Sequence, residues 1–382
     1  TGKSILLDTL CTDLARSPGV VARHEGDAAA ALASAARRIE AGYEVPYLAH
    51  ATMEPMNCTA HVRRDGCDIW APTQFQTASQ GKAAEITGLR PETVQVHTTM
   101  LGGGFGRRAE LDFITDAVET SKAEGAPVKV IYSREDDVQH DFYRPATYNV
   151  LAAGLGPDGY PVAWTHRIVG PSILARMFPR SVRNGIDNSS VEGAANLPYD
   201  IPNIQVDWVH RETGVPVGFW RSVGNSQNAF IKESFFDELA AAGGKDPYEL
   251  RRRLLASQPR LLGVLELAAT QAGWGGPLPV GRARGIAVHE SFGSFVAEVA
   301  EISVANGTVT VHRVVCAVDC GQVVNPDTVE AQMESAIVYG LSAALHGEIT
   351  IDRGRVVQGN FDTYPPLRMS EMPRVEVHIV PS

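Results

Sequence analysis

Cys-x-x-Cys pairs are missing from the 382 residues, and the five cysteines, Cys11, Cys58, Cys67, Cys316 and Cys320, are scattered. That pattern excludes a disulfide framework, a structural zinc site and an iron–sulfur cluster carried by this chain. Cys316 and Cys320 fall on an expected strand and turn and read as small buried side chains. Runs of Lys and Arg are missing too, and the net charge is -10, so the footprint of a nucleic-acid binder is lacking. No apolar stretch reaches the roughly 18 residues of a membrane-spanning helix. The opening Thr1-Gly2-Lys3-Ser4 shows no basic-then-apolar leader. Neither internal repeats nor low-complexity tracts occur.

What is present describes an ordinary globular chain, with a hydrophobic fraction of 44% and a charged fraction of 20%. Its 382 residues exceed what one core usually fills, so two domains are expected. Residues 1–26 read as the tail of a preceding segment, 27–275 as the first domain and 276–382 as the second.

The densest signal is Met100-Leu101-Gly102-Gly103-Gly104-Phe105-Gly106-Arg107-Arg108. Residues 94–99 alternate like a strand and residues 110–118 have the period of an amphipathic helix, so the glycines lie in a strand-to-helix turn. Glycine permits positive φ, and without a Cβ it lets backbone N–H groups come close to a ligand. Beside a helix N-terminus and two arginines, such groups suit a bound phosphate. The spacing matches neither the Gly-Lys-Ser/Thr phosphate loop nor Gly-x-Gly-x-x-Gly. A tight turn without a ligand stays open as the alternative.

In chain order, residues 5–15 read as a short amphipathic piece followed by a polar connector, 27–41 as an alanine-rich surface helix and 43–50 as a buried strand. A hairpin over 61–70 turns at Asp65-Gly66. Ala71-Pro72-Thr73-Gln74 breaks it, and 75–87 fits a helix that puts Gln74 at its N-terminus. A strand over 127–133 leads into Arg134-Glu135-Asp136-Asp137, whose charges read as a solvated turn. Pro157-Asp158-Gly159 is a hairpin turn, and 172–204 an excursion over the surface. The block Gly218-Phe219-Trp220-Arg221-Ser222-Val223-Gly224 gathers unusual residues ahead of a helix over 231–242, either as a site or as a capping loop. Two short helices over 246–273 end at Trp274-Gly275-Gly276-Pro277, the expected boundary. Strands over 284–289, 295–304 and 308–318 follow, the last two turning at Asn306-Gly307. Asn325 then caps a helix over 328–346, with Pro326 in its first turn, and 375–380 is the closing strand. Strands and helices in this order give an α+β or mixed α/β fold of two layers.

Four blocks together resemble the molybdenum-binding large subunit of the xanthine dehydrogenase and aldehyde oxidase family. They are His50-Ala51-Thr52-Met53-Glu54-Pro55, Gly102-Gly103-Gly104-Phe105-Gly106, Trp220-Arg221-Ser222-Val223-Gly224, and Asp319-Cys320-Gly321-Gln322 with Gln332. Met53-Glu54-Pro55-Met56-Asn57-Cys58-Thr59-Ala60 and Phe105-Gly106-Arg107-Arg108 are similar to its isoquinoline 1-oxidoreductase and cytochrome-linked aldehyde dehydrogenase branch. The resemblance runs from about residue 17 to the end.

It implies two molybdenum cofactor-binding domains and a molybdopterin-dependent oxidoreductase. The implied reaction hydroxylates an electron-poor carbon of an aldehyde or N-heteroaromatic, with water as the oxygen source. The implied cofactor is molybdopterin cytosine dinucleotide, whose dithiolene rather than the protein ligates molybdenum. The resemblance makes Gly103, Gly104, Phe105, Gly106 and Arg107 cofactor contacts, with Arg221 supporting the cofactor loop and Gln332 reaching the pterin or its nucleotide tail. Gln74 would hydrogen-bond near the metal's oxo ligand. Implied partners are a small two-cluster iron–sulfur subunit, a c-type cytochrome and the remaining part of the large subunit, in the periplasm. The family's catalytic base is a glutamate in a Gly-Glu-Pro-like segment beyond the last strand. This sequence, closing at Val380-Pro381-Ser382, is expected to lack it.

Purine-hydroxylating members carry an acidic residue after the loop phenylalanine where Ala109 stands here, and a phenylalanine after the loop arginine where Val223 stands. Xanthine is therefore not the expected substrate. Two further readings stand beside this one. One is a non-catalytic fragment or interaction subunit that keeps the fold without an active centre. The other is a cysteine hydrolase using Cys58 with His50 or His61.

Overall fold

The structure, a computed structural model, describes residues 17–382; the amphipathic piece read over 5–15 and Cys11 lie outside the described residues. β1 (Val20–Glu25) replaces the polar connector, pairing antiparallel with residues 204–208. α1 (Ala28–Ser34), capped by the Asp27 side chain, is followed by β2 (Arg37–Val45). The alanine-rich stretch thus splits into helix and strand, because residues 37–45 gain a full antiparallel ladder with residues 147–155. A solvent-facing helix would have lacked that pairing and its cross-strand contacts.

β3 (Asn57–Val62) and β4 (Cys67–Ala71) form the hairpin around Asp65-Gly66. With β5 (Val94–Thr98) and β6 (Val128–Ile131) they make a sheet in the order β5-β4-β3-β6. One face is covered by α2 (Gln76–Thr87) and α3 (Asp112–Glu124), which pack Ala83, Phe113, Ile114 and Val118 against Cys58, Ala60 and Ile69. Both helices end on a left-handed glycine, Gly88 and Gly125, whose N–H satisfies a terminal carbonyl. Where a solvated turn is read from Arg134-Glu135-Asp136-Asp137, the chain instead forms α4 (Arg134–Gln139). Ser133 and Asp136 close a capping box there, and Asp137 is buried.

This small sheet is an insertion between β2 and β7 (Thr147–Leu155). β8 (Pro161–Gly170) and β9 (Ile204–His210) complete a five-stranded sheet in the order β1-β9-β8-β7-β2, with only the β8–β9 pair parallel among its neighbours. α5 (Ile173–Met177) and α6 (Asn188–Val191) lie within the excursion over 172–204. α7 (Gly224–Ala242) starts earlier than its apolar period indicates, because positive φ at Ser222 (73°) and Val223 (53°) turns the chain into the helix there. α8 (Pro247–Leu254) and α9 (Pro259–Ala272) follow.

A second sheet holds β10 (Arg282–Ser291), β11 (Ser294–Ala305) and β12 (Thr308–Asp319). After α10 (Pro326–Leu345) and the small hairpin of β13 (Ile351–Asp352) and β14 (Arg355–Val356), β15 (Arg374–Ile379) joins it parallel to β12. Cys316 is buried in this sheet and Cys320 half-buried just past it. One core links the two larger sheets through α7 and α9: Trp164, Trp208, Phe235, Phe236, Leu265, Val299 and Val315 belong to a single cluster. Burying each of these contributes on the order of 2–3 kcal/mol. Glu233 of α7 pins the arrangement, accepting from Tyr199 at 3.0 Å, Arg251 at 2.9 Å and the Val288 N–H at 3.2 Å.

Candidate functional site

The 102–108 loop leaves β5 and enters α3 with φ of 92° at Gly103, 55° at Phe105 and 107° at Gly106. A Cβ on Gly106 would stand 1.5 Å from the Phe219 carbonyl oxygen, and one on Gly104 2.4 Å from Gln74 Oε1. Only glycine fits where the loop threads between the start of α2 and the 218–224 segment. Gln74 Oε1 accepts from the Gly106 N–H at 3.1 Å, and the Gln74 N–H donates to the Arg108 carbonyl at 3.0 Å. From the other side the Glu54 N–H donates to the Gly102 carbonyl at 3.1 Å, while Glu54 Oε2 accepts from the Gly102 N–H at 2.9 Å and from Arg108 at 2.8 Å. With these bonds made, the N–H groups of Gly103, Gly104 and Phe105 have no acceptor among the described residues. Adjacent unpaired backbone donors of this kind receive an oxo or anionic atom.

Arg107 and Arg108 are fully buried, so neither offers its charge to a ligand as the sequence pattern suggests. The reason is local competition for them. Asp112 takes Arg107 at 2.8 and 2.5 Å and Asp141 takes it at 3.2 Å, while Arg108 donates to the Gly103 carbonyl at 2.7 Å as well as to Glu54. Asp141 also accepts from the His50 backbone N–H at 2.6 Å and faces His50 Nδ1 at 2.9 Å; His50 Nε2 lies 2.9 Å from the Phe219 carbonyl. Burial alone would raise the Asp141 carboxyl, but His50 and Arg107 hold it below its ordinary value. Asp137, in the same lattice, is pushed up to about 6, first by burial and then by the Asp141 charge.

The second half of the site comes from residues 218–224 and α10. Trp220 donates its indole N–H to the Ala49 carbonyl at 3.2 Å. Its ring stacks on Tyr339 of α10 with centroids 4.6 Å apart, and Tyr339 stacks in turn on Phe105 at 4.5 Å. The Tyr339 hydroxyl donates to the His50 carbonyl at 3.0 Å, and burial pushes it well above its ordinary pKa, so it stays a donor. Arg221 reaches the same helix, donating to Ser335 Oγ at 3.0 Å and to the Gln332 carbonyl at 3.3 Å.

The Trp220–Tyr339 pair separates two cavities. One, of about 300 Å³, is lined by the pair with Phe105, His50, Phe361 and Tyr364. The other, of about 370 Å³, is lined by the pair with Arg144, Arg221, Glu44 and Gln227.

Of the residues read from the sequence, Gln74, Gly103, Gly104, Phe105 and Gly106 form one locus, and Arg221 joins it through Tyr339 and α10. Arg107 sits behind the loop as a support, and the Gln332 side chain is on an exposed position of α10. Tyr339, Tyr364 and Asp141 escape a reading of the sequence. Tyr339 had a usable signal, an aromatic four residues after Ser335 on one helix face; Asp141, an isolated acid in a loop, had none. Cys58 is buried and burial pushes its thiol up to about 12, both His50 ring nitrogens are engaged elsewhere, and His61 Nδ1 lies 3.1 Å from Arg63, so the hydrolase reading has no thiolate and neither histidine is paired with Cys58. Among the described residues no three His, Cys, Asp or Glu side chains converge to hold a metal, and no helix is long and apolar enough to cross a membrane.

A family profile described as a molybdopterin cofactor-binding domain matches residues 14–255, and a second of the same description matches residues 277–373. The chain is 36% identical to the isoquinoline 1-oxidoreductase subunit beta of Brevundimonas diminuta, covering 86% of this chain and 43% of that protein. It is 29% identical to a membrane-bound aldehyde dehydrogenase of Gluconacetobacter polyoxogenes, covering 92% of this chain and 49% of that one. The chain thus spans less than half the length of these relatives. Among solved structures, quinoline 2-oxidoreductase from Pseudomonas putida 86 superposes with a TM-score of 0.81 at 14% identity over 96% of this chain and 72% of that one, which establishes a shared fold.

Proposed function

Because the chain belongs to the family of molybdopterin-binding large subunits typified by xanthine dehydrogenases and aldehyde oxidoreductases, we propose that it forms the cofactor-binding core of a molybdenum hydroxylase. In this reading the substrate is an aldehyde or N-heteroaromatic, hydroxylated at an electron-poor carbon with oxygen from water. The observation that carries it is the trio of unpaired N–H groups at Gly103, Gly104 and Phe105, fixed beside Gln74 by a clamp of buried charge.

These residues fit a bound molybdopterin centre, since the cradle at Gly104 and Gly106 tolerates no Cβ and aims preorganised donors at an oxo or anionic atom. When bound, the cofactor would supply the metal that takes up the electron pair lost by the substrate carbon. Gln74, its oxygen occupied by the Gly106 N–H, keeps its amide nitrogen for the oxo side. Arg221 fixes α10 through Ser335 and the Gln332 carbonyl, which leaves the Gln332 amide for the pterin or its nucleotide tail. Glu54 is committed to Arg108 and the Gly102 N–H, so it acts as a clamp and not as the proton acceptor.

The family resemblance further supports a cytosine dinucleotide form of the cofactor and a division into two cofactor-binding domains near residue 276. It also supports electron transfer to a small two-cluster iron–sulfur subunit and a c-type cytochrome, in a periplasmic complex. Elemental analysis for molybdenum and fluorescence of oxidised pterin test the reading on the purified chain. Near-stoichiometric amounts of both are expected, with dye reduction by isoquinoline or an aldehyde. Neither metal nor pterin after expression in a cofactor-producing host would sink it.

A further inference from the structure

Arg144 is a buried cation without an anion. It is 7% exposed, its Nη2 donates to the Pro46 carbonyl at 2.9 Å, and its Nε is enclosed with no partner. No carboxylate forms an ion pair with it among the described residues, and the Trp220 ring, centred 5.7 Å from its Cζ, recovers only part of the hydration it has lost. Burial accordingly pulls the guanidinium down to about 10. Arg144 lines the cavity of about 370 Å³, and Arg221 brings a second guanidinium to the same wall. Glu44, the one acid lining this cavity, is exposed and forms no ion pair with either. Much of the remaining wall is small. Ala336, Gly340 and Ala343 of α10 recur three and four residues apart on one helix face and line the cavity together with Ser226 of α7.

A larger cavity, of about 510 Å³, adjoins it along α7, sharing Ser222, Ser226 and the exposed Phe230. Gly285, Ala287 and Ala300 of β10 and β11 line it, as does Glu298, which has no hydrogen bond or ion pair among the described residues. Burial pushes the Glu298 carboxyl up to about 7. The space beside α7 thus holds an uncompensated cation in one cavity and an uncompensated acid in the next. A small anion would satisfy the first alone and leave Phe230 and the sheet residues uncovered, whereas a polypeptide can meet both. This chain matches 43% and 49% of the length of two relatives, so more than half of each lies outside the match. α10, one wall of the space, fully buries only Ile337 against the rest of the chain. We propose that a segment of the polypeptide completing the large subunit docks between α7 and α10, setting an Asp or Glu carboxylate against Arg144 and Arg221 and small or apolar side chains over Phe230. A hydrogen-bond donor further along the same segment meets Glu298. The assignment rests on the family membership and not on the hydroxylase chemistry.

The test co-expresses this chain with the part of the Brevundimonas diminuta subunit beta that lies outside their match, and measures the dissociation constant of the purified pair. A stable pair is expected. Arg144→Met should weaken it at least about thirtyfold, because the partner's carboxylate is then left desolvated and alone. In the isolated chain the same substitution should leave the unfolding midpoint unchanged or higher, since the charge has no counter-ion there to lose. A single Asp→Asn or Glu→Gln change in the partner polypeptide should reproduce the loss and add little to Arg144→Met. Ser226→Trp, which fills the space without touching the charge, should also block pairing, and it serves if Arg144→Met does not fold. Absence of a pair, or a pair indifferent to both substitutions, overturns the assignment. So does a lowered midpoint of the isolated Arg144→Met chain, which would make Arg144 a support of this chain alone. Protection of the wild-type chain but not of Arg144→Met by inorganic phosphate at about 1 mM or less would assign the cavity to a free oxyanion instead. A pair that depends on Arg144 yet takes up no molybdenum keeps the docking assignment and loses the hydroxylase reading. Molybdenum uptake with a pair that ignores Arg144 does the reverse.

Discussion

Two turns meet at the site and are held by opposite means. The 102–108 loop rests on charge: buried Arg107, Arg108, Asp141 and His50 form a lattice behind it, completed by the partly exposed Glu54 and Asp112. The 220–224 turn rests on rings, with Trp220 on Tyr339 and Tyr339 on Phe105, and on the reach of Arg221 to α10. All members of the charge lattice fall within residues 50–141, so the loop's shape is set inside the first half of the chain. The ring stack borrows Tyr339 from α10, so the second turn is completed only when the later part of the chain docks. Charge therefore fixes where the donors are, and stacking fixes what stands opposite them.

The strongest way to break this division is Gly106→Ala, because Gly106 is where the two turns touch. A Cβ there would sit 1.5 Å from the Phe219 carbonyl oxygen at a φ of 107°, so both turns must move. A loss of more than about 3 kcal/mol in denaturant unfolding is expected, together with loss of any bound pterin. Next comes Tyr339→Ala, which removes both stacks and should cost about 2–3 kcal/mol, whereas Tyr339→Phe, which loses only the bond to His50, should cost about 1 kcal/mol. If the two tyrosine variants are equally destabilised, stacking is not what holds the second turn.

The charge side is sharpened by pH. Asp137, raised to about 6, binds its proton more readily folded than unfolded. Its contribution to stability therefore falls as pH rises from about 4 to 6 and stays at the lower level above that. Asp137→Asn should flatten that slope and gain about 1 kcal/mol at neutral pH, a change Tyr339 variants should not reproduce. Asp141 works with the opposite sign. Its lowered carboxyl adds stability above the ordinary carboxylate value of about 4, and that stability is lost as pH falls through the lowered value. The smallest effect is reserved for Gln74→Ala, which removes one bond to an exposed loop N–H. It should cost at most about 1 kcal/mol in stability while abolishing dye reduction if Gln74 serves the centre as proposed.

Legibility follows the range over which each residue's partners lie. The glycine loop declares itself because four glycines in five residues have no packing explanation. Gln74 is legible only by resemblance, since its reason for being there, the Gly106 N–H, is 32 positions away. The acidic run that becomes α4 looks solvated for the same reason: Asp137, paired with Arg134 one turn away, is buried in a lattice with Arg107 and Asp141, and the run itself does not reveal Arg107. β1 carries no alternation, its ends being exposed and its middle only half-buried, and it becomes a strand solely because β9 supplies a partner nearly the whole first half of the chain later. Phe105 and Tyr339 likewise acquire meaning only from each other.

α10 is 20 residues long, yet Ile337 is the one residue in it that is fully buried, while α7 buries Ile231, Phe235, Phe236 and Leu239 among others. A helix anchored so lightly opens on its own well below the free energy of global unfolding, and its amides should exchange with solvent far faster than those of α7. Tyr339, Ser335 and Gln332 ride on it, so half of the site exists only in the closed fraction of that local equilibrium. Whatever binds against the stacked Phe105 and Tyr339 needs α10 in place, and its apparent affinity will carry the cost of ordering that helix.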